Sequence, residues 1–338
     1  MSSQIVNIAF YDAHPYDRET FTEANRQFMY NIDFFDFRLN EKTALSARGY
    51  DAVCTFVNDT LDAAVIEALK ECGVQLIALR CTGYSNVDLQ AAAQAEIPVV
   101  RIPAYPAHAV AEHAAAMLLS LTRCIPRAYL RTRTGNFSLD GLIGRDLHGL
   151  TAGIVGTGRT GKAFAEILAG LGMKITCCDV NQDKDWANRH GFAYMQLAQM
   201  FANADVISLH CPLTAETRHI VNENSLALMK RDAIIVNTGR GALIDTKALV
   251  RVLKKQEIGG VALEIYEEED KYFFDDWSAD VIRQDTLARL LTFPNVIVTP
   301  HQAFLTASVL KSIAETTLGN ILAFQSGGEL LNEIKAAE

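Results

Sequence analysis

Short apolar runs at residues 5–10, 32–37, 52–56, 76–79 and 99–102 alternate with helix-like stretches near 17–28 and 61–71. That alternation predicts a parallel α/β unit. A second series starts only after residue 150, where residues 151–179 read TAGIVGTGRTGKAFAEILAGLGMKITCCD. The segment predicts an apolar strand, a glycine turn, a helix with Phe164, Ile167, Leu168 and Leu171 at helical spacing, and a second strand. Apolar runs at 206–209, 234–237, 260–263 and 296–299 extend the series, and a last helix-like stretch at 306–325 is long enough to cross back to the first unit.

The pattern therefore predicts two Rossmann-like or flavodoxin-like α/β domains with parallel sheets. Residues 1–102 and 301–338 would form one domain, and residues 103–300 a nucleotide-binding domain inserted into it, with the two crossovers acting as a hinge. Residues 107–121 (AHAVAEHAAAMLLSL) are alanine-rich and apolar nearly all round. They predict a helix buried between domains or between subunits, ended or kinked by the following segment 123–126 (RCIP).

Composition narrows the class. A chain of 338 residues with 49% hydrophobic content supports two cores. It contains no apolar run of membrane-spanning length and no basic-then-apolar leader, so a soluble cytoplasmic protein is expected. The seven cysteines are scattered, without a CxxC pair or a His/Cys cluster, so reduced thiols and no metal are expected. A net charge of −9 argues against nucleic acid or anionic membranes as partners. It does not argue against a small anionic substrate, because one well-placed arginine dominates its own surroundings.

The glycine turn carries the first chemistry. Gly156 would turn the chain off the strand, Gly158 admit a pyrophosphate to the backbone, and Gly161 let helix and strand pack closely. The helix N-terminus would offer its unpaired N–H groups to the phosphates. Asp179, closing the next strand, would accept hydrogen bonds from the adenosine ribose and repel a 2′-phosphate, which favours NAD over NADP. The alternative for Asp179 is a simple turn former.

Three further loops follow strands of the same series. Arg240, in IIVNTGRGALID, is suited to a bidentate pair with a carboxylate and to a neighbouring carbonyl oxygen. His301 follows the run 296–299, as an acid/base or as a structural residue. Glu264, Glu267, Glu268 and Glu269 follow the run 260–263, and one of them could orient an imidazole and keep it protonated. Composition does not say which. Arg, Glu and His at the edge that binds NAD are what reduction of a carbonyl beside a carboxylate requires.

The segments GTGRTG with Asp179, VNTGRGALID, ALEIYEEE and TPHQAFLT resemble the D-isomer-specific 2-hydroxyacid dehydrogenase family, along essentially the whole chain. EKTAL, FVND, LRCTGYSNVDL, VAEHA, RTRTGNFSLDGL, SLHCPLT and YFFDDWSADVI are most similar to its fermentative bacterial D-lactate-forming subgroup. The resemblance implies NADH-dependent reduction of pyruvate to D-lactate. It gives Arg240 the substrate carboxylate and keto group, His301 the acid/base role, and Glu269 the orienting carboxylate. Thr82 and Gly83 would hold the substrate carboxylate by their backbone, with Tyr105 lining the pocket. Cofactor contacts fall on Gly156, Gly158, Arg159, Thr160, Gly161, Asp179, Cys211, Pro212, Thr217, Thr238, Gly239 and Glu264. Glu264 stands where the family usually has Asp, and Thr217 where relatives often have Asn. A homodimer or homotetramer is expected.

Two other functions stay open on the sequence. One is the same chemistry on a bulkier 2-oxo acid such as 2-oxoisocaproate or phenylpyruvate, with Tyr105 and Phe304 shaping the pocket. The other is an NAD-sensing binding protein or corepressor with catalysis lost, against which the presence of Arg240, Glu269 and His301 together argues.

Overall fold

The eleven predicted runs become strands, and Ala193–Tyr194 adds a twelfth, in two wholly parallel sheets in the computed structural model, which describes residues 6–268 and 272–336. The chain divides into two units, one formed up to Pro106 and again from Leu305, the other spanning Ala107–Phe304.

The first unit contains β1 (Asn7–Phe10), α1 (Pro15–Asn25), β2 (Asn31–Phe34), β3 (Ala52–Thr55), α2 (Ala63–Glu71), β4 (Leu76–Leu79), α3 (Leu89–Ala95) and β5 (Val99–Val100). Its strand order is β2-β1-β3-β4-β5, the flavodoxin-like order. β3 and β4 are buried along their whole length, as strands covered on both faces must be, and both read as unbroken apolar runs apart from Thr55. The C-terminal helix Ala307–Gln325 belongs to this unit and packs on α1 and β4. Thr306 caps it by accepting from Val309 N at 3.3 Å, and Val309, Ile313, Ala314, Leu318 and Ile321 form its buried stripe.

The second unit opens with α4 (Ala107–Thr122) and α5 (Ile125–Arg133), then β6 (Thr151–Val155), α6 (Arg159–Gly170), β7 (Lys174–Cys178), α7 (Lys184–His190) and β8 (Ala193–Tyr194). It continues through α8 (Leu197–Asn203), β9 (Val206–Leu209), α9 (Glu223–Leu228), β10 (Ile234–Asn237), α10 (Thr246–Lys255), β11 (Gly260–Leu263), α11 (Asp285–Leu290) and β12 (Val296–Val298). The order β12-β11-β10-β9-β6-β7-β8 reverses between β6 and β9. The glycine turn follows β6, so it lies at the switch point, where doubly wound sheets take their ligands.

α4 is a core helix of the second unit, with Ala111, Ala114 and Leu118 in one cluster with Phe164, Val236 and Ala262. Glu112, Ala116 and Leu119 remain exposed. Alanine serves here because a short side chain lets the helix approach α6 and the sheet closely. The segment 123–126 ends α4: Cys124, with φ 55°, makes the break, and Pro126 sits in the first turn of α5, where a missing N–H costs nothing.

The units change a few residues beyond Ile102 and Pro300, so His301 to Phe304 stay with the second unit. Backbone bonding explains this: His301 N donates to Glu264 O at 3.2 Å, and Ala303 N donates to the Glu264 carboxylate. No helix among the described residues is long and apolar enough to cross a membrane, and all seven cysteines are free thiols.

Candidate active site

In the second unit, the glycine turn shows why side chains are absent from it. Gly156 has φ 92°, and a Cβ there would stand 2.5 Å from Cys211 N. A Cβ on Gly161 would stand 2.0 Å from Gly156 O. A Cβ on Gly158 would meet nothing within 4 Å, so this residue faces open space rather than protein. Gly158 caps α6 without a side-chain bond, and the first N–H groups of the helix, at Arg159 and Thr160, are placed for an anion.

Asp179 is fixed at the end of β7. Its Oδ2 accepts from Thr157 N at 2.6 Å and Thr157 Oγ1 at 3.1 Å, and its Oδ1 accepts from Asn181 N at 2.8 Å. Cys211 and Pro212 follow β9, and Thr217 Oγ1 donates to Pro212 O at 2.6 Å, so three of the expected cofactor residues form one braced turn. Burial pushes the Cys211 thiol up to about 11, which keeps that wall uncharged at neutral pH. Thr238, 8% exposed, carries a buried hydroxyl with no described partner. An open face at Gly158 and an unanswered donor at Thr238, on the carboxyl edge of one sheet, fit a dinucleotide.

Arg240 follows β10 in extended conformation and is exposed, donating from Nη1 to Gly239 O at 2.8 Å. The turn before it is braced from below. Asn237 is fully buried; its Nδ2 donates to Arg240 O at 2.9 Å and its Oδ1 accepts from Gly239 N at 3.0 Å. A Cβ on Gly241 would stand 2.3 Å from Tyr266 C, so this turn packs against the loop after β11.

That loop separates the glutamates the sequence left equivalent. Glu264 is 1% exposed and turns inward to His113, Thr299 and Ala303 N. Glu267 pairs with His219 Nε2 at 2.6 Å and accepts from Thr246 Oγ1 at 3.2 Å. Glu268 accepts from Gln284 Nε2 at 2.7 Å. Glu269 lies outside the described residues. His301 follows β12 with φ 56°, an uncommon conformation for a residue other than glycine, and its ring lies 5.6 Å from that of Phe274. Since β11 runs between β10 and β12, Arg240 and His301 flank the acidic loop at one sheet edge.

In the first unit, Thr82 and Gly83 follow β4. Thr82 O accepts from Arg101 Nη1 at 2.8 Å, and Thr82 N donates to the Tyr105 hydroxyl at 3.3 Å. Burial pushes the Tyr105 phenol up, so it stays protonated. Arg101 also covers the Tyr84 ring at 4.9 Å.

Arg101, His113, Thr157, Asn237 and Thr299 were not singled out from the sequence. Each acts through another residue's backbone or carboxylate, and only two left a trace: an Asn closing an apolar strand before a TGRG turn, and a His within an otherwise alanine-rich helix.

Residues 115–303 match the family model described as D-isomer specific 2-hydroxyacid dehydrogenase, NAD binding domain. D-lactate dehydrogenase of Escherichia coli (strain K12) is 47% identical over 329 residues, covering 97% of this chain and 100% of that relative. Its apo structure aligns with a TM-score of 0.91 over 97% of this chain and 100% of that one, at 45% identity. The pyruvate reductase of Chlamydomonas reinhardtii aligns with a TM-score of 0.94 at 37% identity, over 98% and 99% of the two chains. The chain thus belongs to the D-isomer specific 2-hydroxyacid dehydrogenases, oxidoreductases that use NAD.

Proposed function

We propose that this enzyme reduces pyruvate to D-lactate. The observation that carries the reading is the placement of Arg240 and His301 on either side of β11 at the edge that carries the glycine turn, in a chain nearly half identical to a D-lactate dehydrogenase. Bound NADH supplies the hydride that reduces the C2 carbonyl. Arg240 presents two parallel N–H donors to the carboxylate and stabilises charge growing on the keto oxygen. His301 gives that oxygen its proton and regains one from solvent. Thr82, Gly83 and Tyr105 are the first unit's candidate substrate contacts, as the resemblance implies. The resemblance assigns Glu269, which lies outside the described residues, to orient His301. Asp179 takes the adenosine ribose.

The enzyme works in the cytoplasm as a homodimer or homotetramer. Support for self-association comes from α5, which has no buried residue, and from the exposed Tyr129, Leu130, Phe137 and Ile143 on and after it. The test is NADH oxidation with pyruvate, 2-oxoisocaproate and phenylpyruvate, with chiral analysis of the product. Pyruvate is expected to give the highest kcat/KM and D-lactate the product. A higher value with either larger acid moves the enzyme to that substrate, and no turnover with any of the three makes the chain a binding protein.

A further inference from the structure

Glu264 directly follows β11, yet its side chain does not join the solvated acidic loop that begins there. Both carboxylate oxygens are engaged inside the fold: Oε1 accepts from Ala303 N, and Oε2 accepts from Thr299 Oγ1 and from His113 Nε2 at 2.9 Å. His113 Nε2 also lies 3.2 Å from Thr299 Oγ1. The Glu264 backbone does parallel work, its N donating to Asn237 O at 3.0 Å and its O accepting from His301 N at 3.2 Å. One residue therefore joins α4, the end of β10, the end of β12 and the turn containing His301.

We propose that Glu264 and His113 are positioning residues for the proton donor, and that the carboxylate holds the 299–303 turn while the imidazole anchors that carboxylate to α4. The inference rests on His301 being the acid/base of the assigned reaction. Physical grounds are threefold. His301 has φ 56°, and a non-glycine residue held there costs about 1–3 kcal/mol unless its surroundings fix it. The N–H groups on either side of Gln302, at His301 and Ala303, both end on Glu264, so this residue supplies the restraint. A carboxylate only 1% exposed needs donors for its lone pairs, and the ring nitrogen of His113, on a rigid helix, completes the set.

Side-chain length matters. An Asp at this position would withdraw the carboxylate by about 1.5 Å, one carbon–carbon bond, and could not keep both Ala303 N and His113 without moving the turn. With three donors already on its oxygens, Glu264 has no need of the nicotinamide as a partner.

The test compares wild type with Glu264→Asp, Glu264→Gln, His113→Leu and His113→Gln, reading kcat and KM for pyruvate, NADH Kd by fluorescence, and the thermal midpoint. Glu264→Asp and Glu264→Gln are expected to lower kcat at least tenfold while NADH Kd stays within twofold. His113→Leu should lower kcat several-fold, and His113→Gln, whose amide can present an N–H to the same oxygen, should restore most of it. A purely structural contact would lower the thermal midpoint but leave kcat per folded molecule unchanged. If a Glu264 variant does not fold, the His113 pair decides, because it removes only one of the bonds. Unchanged kcat in His113→Leu overturns the proposal, and so does a tenfold weaker NADH Kd with intact kcat in Glu264→Gln. A wild type inactive on every 2-oxo acid overturns the assigned reaction and this inference with it. An active wild type with unaffected variants overturns the inference alone.

Discussion

Arg80 and Arg240 both follow apolar parallel strands at the carboxyl edges of their sheets, and the two edges use them in opposite ways. Arg80, after β4, is 3% exposed. Its Nη2 donates to Asp12 O at 2.7 Å, its Nε lies 3.6 Å from Asp17, and its guanidinium lies 4.5 Å from the Phe10 ring and 4.9 Å from the Phe56 ring. Asp59, 2% exposed, accepts from Leu39 N at 2.6 Å and Phe56 N at 2.7 Å in the same neighbourhood. Arg240 is exposed and, among the described residues, bonds only locally, to Gly239 O. A guanidinium enclosed by carboxylates and rings is a fixed part of the fold, whereas one left in solvent is available to an incoming anion. Position at a sheet edge does not distinguish them; burial does.

The comparison breaks most visibly at Arg80. Arg80→Met should cost about 3–5 kcal/mol of stability, because it leaves the buried Asp17 carboxylate without its cation and Asp12 O without its donor. Urea unfolding measures this, and a stability within 1 kcal/mol of wild type (about fivefold in the folding constant) would remove the structural role. Arg240→Lys should do the reverse. We expect kcat/KM for pyruvate to fall about 10²–10³-fold, since a point charge cannot replace the planar fork, with stability changed by less than about 0.5 kcal/mol. Steady-state kinetics and the same urea titration decide it.

A pH series sharpens the contrast. Burial pushes the Asp59 carboxyl from 3.8 up to about 6, against the pull of Arg80 and of two backbone N–H groups. The folded state then binds this proton more tightly than the unfolded chain does. Its contribution is fully present below the unfolded value and is lost as pH rises through the folded one. Wild-type stability relative to Asp59→Asn should fall between about pH 4 and pH 6, by at most about 3 kcal/mol. A difference that is flat or rises over that interval contradicts the assignment. Burial also raises Asp17, which acts in the same direction. The smallest effect is expected at Thr238→Val, where losing one buried hydroxyl should weaken NADH by about 1 kcal/mol, roughly fivefold in Kd, and leave free-enzyme stability nearly unchanged. Fluorescence titration reads the first and thermal unfolding the second.

Much of the fold was legible because fully covered parallel strands must be apolar throughout: 206–209, 234–237 and 260–263 coincide with β9, β10 and β11. Strand ends were less legible. The run 32–37 yields β2 only to Phe34, since Phe35 to Phe37 bend away while their backbone still bonds to the end of β1 and the residues beyond it. The candidate site was legible where the residue type suggests the chemistry, at the glycines, Arg240 and His301. It was not legible where four glutamates stand in six residues, because their roles depend on which partner each side chain reaches.

The sequence by itself determined two parallel α/β units, their order along the chain, the dinucleotide turn and the pair of arginine and histidine, because periodicity, glycine sterics and functional-group chemistry are local properties. Tertiary structure alone decided that α4 belongs to the second unit's core, that Arg80 is structural, and that Glu264 faces inward to His113 rather than outward with its neighbours. Those outcomes depend on burial and on contacts between residues far apart in sequence, such as 113 and 264, and no window of neighbouring residues contains that information.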